Sequence, residues 1–217
     1  AMRFTVDVDR IDLDRYLPPQ DKGKQAKGGD KGDPDAEVLP VEALRGLDLA
    51  GKATVGELKA FGLESRDVTL TLDAGDGRVR LHPATARLYD GTYSGDVQLD
   101  VRGEQPRVSV NERLSGIQAE PLLADLAGKA ALSGTGDFSA DLTTTGNSVP
   151  AWRNNLDGKL AFSFRNGAVK GINIAQLIRE ARAKFKGEEP PPAGDNKTDF
   201  TELTGTATVT DGLVRNK

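Results

Sequence analysis

At 217 residues the chain is long enough for one large domain or two small ones and for a buried core. Hydrophobic residues make up 37% and aromatics 5%, a thin apolar supply, and 25 glycines favour turns and bulges over long helices, which excludes a helical bundle and deep aromatic pockets. A net charge of −4 without a basic half argues against nucleic acid as partner, and one histidine with no cysteine removes disulfides, thiol chemistry, iron–sulfur clusters and Cys/His zinc sites.

Phe4, Val6 and Val8 alternate with Arg3, Thr5 and Asp7, the period of a strand with one apolar face. Asp7, Asp9, Asp12 and Asp14 resemble a carboxylate cluster, but charges on the outward side of a strand need no chemistry to explain them. Residues 19–37, repeating Lys, Gly and Asp, read as a flexible solvent-exposed insertion. A short helix is expected from Pro40 to Leu47. Gly46 to Lys52 has the spacing of a phosphate-binding loop, yet Ala53 stands where the magnesium ligand belongs, and Leu47, Leu49 and Gly51 alternate as in a strand, so nucleotide binding is rejected.

Val68, Leu70, Leu72 and Ala74 form the next alternating row, followed by Val97, Leu99 and Val101 and by Val108 and Val110. Ala74 to Gly77, Tyr89-Asp90-Gly91, Asn166-Gly167 and Asp211-Gly212 supply turns between strands. His82 reads as a strand-end histidine beside a proline rather than a catalytic base. A short pattern recurs four times, at Leu49-Gly51, Leu126-Gly128, Leu156-Gly158 and Leu203-Gly205, each continuing into an apolar row. It is read as a repeated strand-start device.

Helices are few. Glu120 to Leu126 and Pro150 to Leu156 are short, and Trp152 is expected to pack the latter on the sheet. The clearest helix runs from an Asn173 cap to about Lys186, with Ile174, Leu177, Ile178, Ala181 and Phe185 on one stripe and Arg179, Arg182, Lys184 and Lys186 opposite. That stripe is expected to cover one end of the sheet in preference to lying on an anionic membrane surface. Residues 187–197, with three consecutive prolines, read as a second flexible insertion. The fold class is therefore mostly β, a curved antiparallel sheet (a meander, half-barrel or groove) with a few short helices at its ends, in one domain over residues 1–217. No apolar run approaches the roughly 18 residues of a membrane span and the start lacks a signal-peptide core, so any export or anchoring segment is expected outside this chain.

With these segments in place the chain resembles the C-terminal part of the AsmA family of Gram-negative envelope proteins. The resemblance is carried by Leu13 to Pro18, by Leu88-Tyr89-Asp90-Gly91-Thr92-Tyr93-Ser94-Gly95, by Leu122-Leu123 through Leu132-Ser133-Gly134-Thr135-Gly136, by Leu156 to Phe162 and by Asn166 to Ile174. It implies a periplasmic protein anchored in the inner membrane, whose long sheet is similar to bridge-like lipid-transfer proteins, apolar inside and polar outside. The chain lacks the family's N-terminal anchor and stops as a strand begins, so it reads as an excised piece.

A one-faced sheet needs a cover for its apolar side: a second sheet, a closed curl or a lipid chain. The first reading is a noncatalytic lipid-binding or lipid-conducting module serving phospholipid transport between the two membranes and outer-membrane biogenesis, with no cofactor or metal. Its partners are phospholipid acyl chains, the inner membrane through an anchor outside the chain, and envelope proteins. The candidate groove residues are Val6, Val8, Val68, Leu70, Leu72, Val97, Leu99 and Val101, expected to project from neighbouring strands onto one face. Ile174, Leu177, Ile178 and Phe185 are candidates for the groove-end helix. The runner-up is a structural scaffold that assists outer-membrane protein assembly and carries no lipid.

Overall fold

The computed structural model describes residues 2–15, 36–187, 189, 192 and 194–216. Ten strands form one sheet in chain order: β1 (Met2–Asp12), β2 (Leu49–Ala60), β3 (Leu63–Gly75), β4 (Arg78–Leu88), β5 (Gly91–Asp100), β6 (Arg107–Gln118), β7 (Thr135–Thr145), β8 (Asp157–Lys170), β9 (Lys197–Thr210) and β10 (Leu213–Asn216). The sheet is largely antiparallel and not closed; β1 and β10 form its two edges. One pairing departs from the expected meander, because β1 runs parallel to β2. A parallel pair cannot be joined by a tight turn, and the connection over residues 13–48 is long enough to return the chain to the starting end.

Among the described residues four short α-helices sit at the strand ends, α1 (Val41–Arg45), α2 (Ala119–Ala127), α3 (Val149–Asn154) and α4 (Ile174–Lys186), with a single 3-10 turn (Leu13–Arg15) after β1. Strand direction sorts them. The Phe61-Gly62 and Tyr89-Asp90 turns lie with α2 and α4 at one end of the sheet, and α1, α3 and the Asp76-Gly77 and Asp211-Gly212 turns lie at the other. The expected Asn173 cap is present, its side chain accepting from Gln176 N–H at 2.7 Å.

Several local expectations are corrected. Asn166-Gly167 is no turn: both residues lie inside β8, and Asn166 takes a left-handed φ of 51° without breaking the ladder to β9. The four-fold Leu-x-Gly pattern has no common structural role. Gly51 and Gly158 lie near strand starts and Gly205 lies within β9, while Gly128 caps α2 in the left-handed conformation. His82 lies inside β4 at a bulge, not at a strand end. Of the two expected insertions, residues 19–35 and 188, 190, 191 and 193 lie outside the described residues. Gly187 ends α4 and Lys197 already opens β9.

Apolar burial is modest. Among the described residues the buried hydrophobics are Val55, Val68, Ala74, Ala84, Val101, Ile117, Ala119, Ala140, Ala168, Ala183 and Val209, without a single leucine or phenylalanine. Extensive contacts run only between hydrogen-bonded neighbours, and the helices add small contacts at the strand ends. A second packed layer would have buried the larger side chains first.

Candidate functional site

Ladder register fixes which side chains share a face, because directly paired residues project on the same side of the pleat. One row crosses all ten strands: Phe4, Gly51, Leu72, Leu81, Val97, Val110, Leu142, Gly158, Val209 and Val214. A second runs Val6, Ala53, Leu70, Ala84, Gly95, Glu112, Ala140, Leu160 and Ala207. A third, over β4 to β9, is Ala86, Tyr93, Leu114, Phe138, Phe162 and Gly205. The opposite face carries Thr5, Lys52 and Thr71 on β1 to β3 and Gln98, Ser109, Thr143 and Asp157 on β5 to β8. Cross-strand ion pairs such as Arg80–Asp96 at 2.5 Å and Arg78–Asp100 at 3.7 Å lie on that wet side.

Val6, Val8, Val68, Leu70, Leu72, Val97 and Leu99 therefore share one face. They are not all on adjacent strands as expected: β4 separates β3 from β5 and inserts Val79, Leu81 and Ala84 between their rows. Val68 is buried, whereas Leu70, Leu72, Val97 and Leu99 are half-buried and Val6 is 45% exposed. Val101 differs. It lies beyond the end of β5 and is fully buried, so it closes the end of the apolar face instead of lying along it.

Three phenylalanines of this face lie over glycines. The Phe162 ring occupies the space where a Cβ on Gly205 would stand, and Phe164 does the same over Gly136 and Phe4 over Gly51. The Phe162 and Phe164 rings are 5.7 Å apart and tilted by 42°. A glycine opposite an aromatic lets the ring lie flat on the backbone, giving a smooth apolar surface with few projecting side chains.

One polar feature interrupts the face. A Cβ on Gly95 would overlap both the Tyr93 hydroxyl and Glu112 Oε2, so these two groups meet over that glycine, with Glu112 Oε2 buried. Burial, reinforced by the Glu112 carboxylate, raises the Tyr93 hydroxyl well above the usual tyrosine range. Burial also raises Tyr89, helped by the hydrogen bond its hydroxyl donates to Asp125 Oδ2 at 2.6 Å, a bond that ties the β4–β5 turn to α2. Both tyrosines stabilise the fold below about pH 10, where the unfolded chain would begin to ionise, and lose that contribution as the pH rises through their folded range. The melting temperature is expected to fall above that pH, and less steeply in Tyr93→Phe.

His82 lies on the polar side, with Nδ1 3.3 Å from Asp96 Oδ2 beside the Arg80 ion pair. At the end of the sheet that holds α2, a concavity of about 700 Å³ is lined by Ile11, Leu58, Leu88 and Tyr89 among charged residues that include Arg10, Glu64, Arg66 and Asp125.

The apolar stripe of α4 does not cover the sheet. Gln176 and Ala183 are its buried residues, with Glu180 half-buried beside them, whereas Ile174, Leu177, Ile178 and Phe185 are 51%, 58%, 62% and 94% exposed. The helix is rotated half a turn from its expected pose. Its start is pinned by polar contacts, Ile174 N–H donating to Thr198 Oγ1 at 3.0 Å and Asn173 Nδ2 donating to the Asp195 carbonyl at 2.5 Å.

A family model described as the AsmA family matches residues 1–217. The chain belongs to the AsmA family. It is similar to Protein AsmA of Escherichia coli (strain K12), 20% identical over 218 residues, an alignment covering 94% of this chain and 35% of that protein. The chain thus spans about a third of the length of that AsmA relative. No solved structure matches it. The motifs that carry the AsmA resemblance gather where strands end. Tyr89 and Asp90, with φ of 47° and 65°, make the β4–β5 turn, Asp14 Oδ2 accepts from Gly62 N–H at 3.0 Å, and Ser133 N–H donates to the Ala168 carbonyl at 3.0 Å. The Tyr16–Pro18 part of the first motif lies outside the described residues. Among the described residues no helix is long and apolar enough to cross a membrane.

Proposed function

We propose that this AsmA chain is a noncatalytic lipid-binding or lipid-conducting module of a periplasmic protein, supporting phospholipid transport between the inner and outer membranes and outer-membrane biogenesis. One observation carries the reading. An apolar row crosses ten strands of an open sheet whose leucines and phenylalanines all stay partly exposed, so the face has a long apolar surface and little protein to cover it. Acyl chains match that surface: they need no hydrogen-bond partners, and each buried methylene contributes about 0.8 kcal/mol. The backbone polar groups beneath are already satisfied by the ladder.

Mass spectrometry of the protein purified without detergent tests the proposal, with copurified phospholipid as the expected result. Protein free of lipid that also takes none up from phospholipid vesicles would leave the scaffold alternative. His82→Ala is expected to leave lipid content and melting temperature unchanged, since the imidazole is on the far side of the sheet; loss of lipid binding in this folded variant would reopen an enzymatic reading.

A further inference from the structure

We propose that α4 is an interfacial helix that docks one end of the sheet onto an anionic lipid bilayer. The stripe of Ile174, Leu177, Ile178 and Phe185 points away from the protein, each of its side chains more than half exposed. With 3.6 residues per turn, Leu177, Ala181, Phe185 and Ile178 fall within about 60° of Ile174. Arg182 falls about 80° to one side and Lys184 about 80° to the other. Cations on both flanks let the alkyl stems extend along the apolar strip while the charged ends reach phosphate oxygens at headgroup level. Arg179 and Lys186 add two more charges, and the helix's only acid, Glu180, lies on the protein side, where Gln176 Nε2 donates to it at 3.0 Å.

Charge decides the occupant. A second copy packed stripe to stripe would bring Arg182 and Lys184 against their counterparts with no carboxylate on the outward side of either helix to separate them, whereas an anionic headgroup layer pairs with every cation at once. Thirteen residues are too short to span a bilayer and long enough to lie in its surface. The helix shares its end of the sheet with the concavity bounded by Tyr89 and Asp125, so a docked bilayer would meet the end of the apolar face. The inference extends the lipid-carrying reading but is measured separately from it.

The test is flotation of the full 217-residue chain with phosphatidylcholine vesicles, with and without phosphatidylglycerol. The chain is expected to float with the anionic vesicles, to be released by salt and to ignore phosphatidylcholine alone. Ile178→Glu with Phe185→Glu should cut the bound fraction about tenfold or more while leaving circular dichroism, melting temperature and copurified phospholipid unchanged, since both side chains are solvated in the fold. Arg182→Glu with Lys184→Glu should abolish the preference for anionic vesicles. Because the chain has no cysteine, a Leu177→Cys variant bearing a polarity-sensitive dye should shift to the blue on the same vesicles. Failure of the unmodified chain to float, or equal flotation of the Ile178/Phe185 variant, overturns the proposal. So does a dimer in sedimentation that the Ile178/Phe185 variant dissociates, which would make the stripe a self-association face. Flotation without copurified phospholipid would support the docking helix and count against the lipid-carrying sheet.

Discussion

Val101→Asp is expected to abolish the cooperative unfolding transition. Val101 is the largest side chain that is fully buried among the described residues, and its backbone is held on both sides: its N–H donates to the Gly77 carbonyl at 2.9 Å and its carbonyl accepts from Arg45 Nε at 2.7 Å. Arg45 also donates to the Gly103 carbonyl at 2.9 Å, so α1 is fastened over this end of the apolar face. The substitution forfeits roughly 1.5–3 kcal/mol of burial and adds several kcal/mol for an unpaired carboxylate out of water. Against a total stability of about 5–15 kcal/mol for an ordinary domain, that loss is decisive in a sheet with so little buried surface. Chemical denaturation should show no folded baseline for Val101→Asp, while Val101→Ala should unfold cooperatively at a lower midpoint. A Val101→Asp protein melting near the unmodified chain would show that this end is open.

Leu70→Asp is expected to do the reverse, sparing the fold and emptying the face. Leu70 is half-buried in a row with Ala53 and Ala84, and in an open sheet its replacement carboxylate keeps much of its hydration, so the melting temperature should shift modestly. An acyl chain crossing that position would have to strip water from the charge or leave the row. Leu70→Asp or Leu99→Asp should therefore lower bound phospholipid several-fold, while Thr71→Asp, projecting on the polar side next to Lys52, changes neither quantity. Collapse of the Leu70→Asp fold would indicate a filled core and favour the scaffold; unchanged lipid in a folded Leu70→Asp protein would remove this row from the lipid path.

The strands and their faces were legible because a period of two in Val68, Leu70 and Leu72 has one physical meaning. The parallel β1–β2 pair was not, since alternation in Phe4, Val6 and Val8 is the same whichever way the neighbour runs. Asn166-Gly167 has turn composition, yet a left-handed residue is equally compatible with an irregular strand interior. The rows on β6, β8 and β9 were read as strands but were not joined to the candidate face, because sequence does not give strand order, and the rows on β4 and β7 were not picked out. Tyr93 and Glu112 were missed for a different reason: hydropathy assigns a glutamate outward, and only the missing Cβ of Gly95 makes room for it inside. For α4, periodicity identified which residues form a stripe but carries no information on what the stripe meets. The buried Gln176 and Ala183 decide that, and they appear in the sequence as an ordinary polar residue and an ordinary small one.

Placing the photoreactive residue benzoylphenylalanine singly at Leu70, Leu160, Thr71 and Thr206 tests most directly whether the apolar face carries acyl chains. The first two positions lie in one row across that face and the other two on the opposite side. After incubation with phospholipid vesicles and irradiation, mass spectrometry should find phospholipid adducts at Leu70 and Leu160 and none at Thr71 or Thr206. Adducts distributed equally over both faces, or absent from both, would contradict the account.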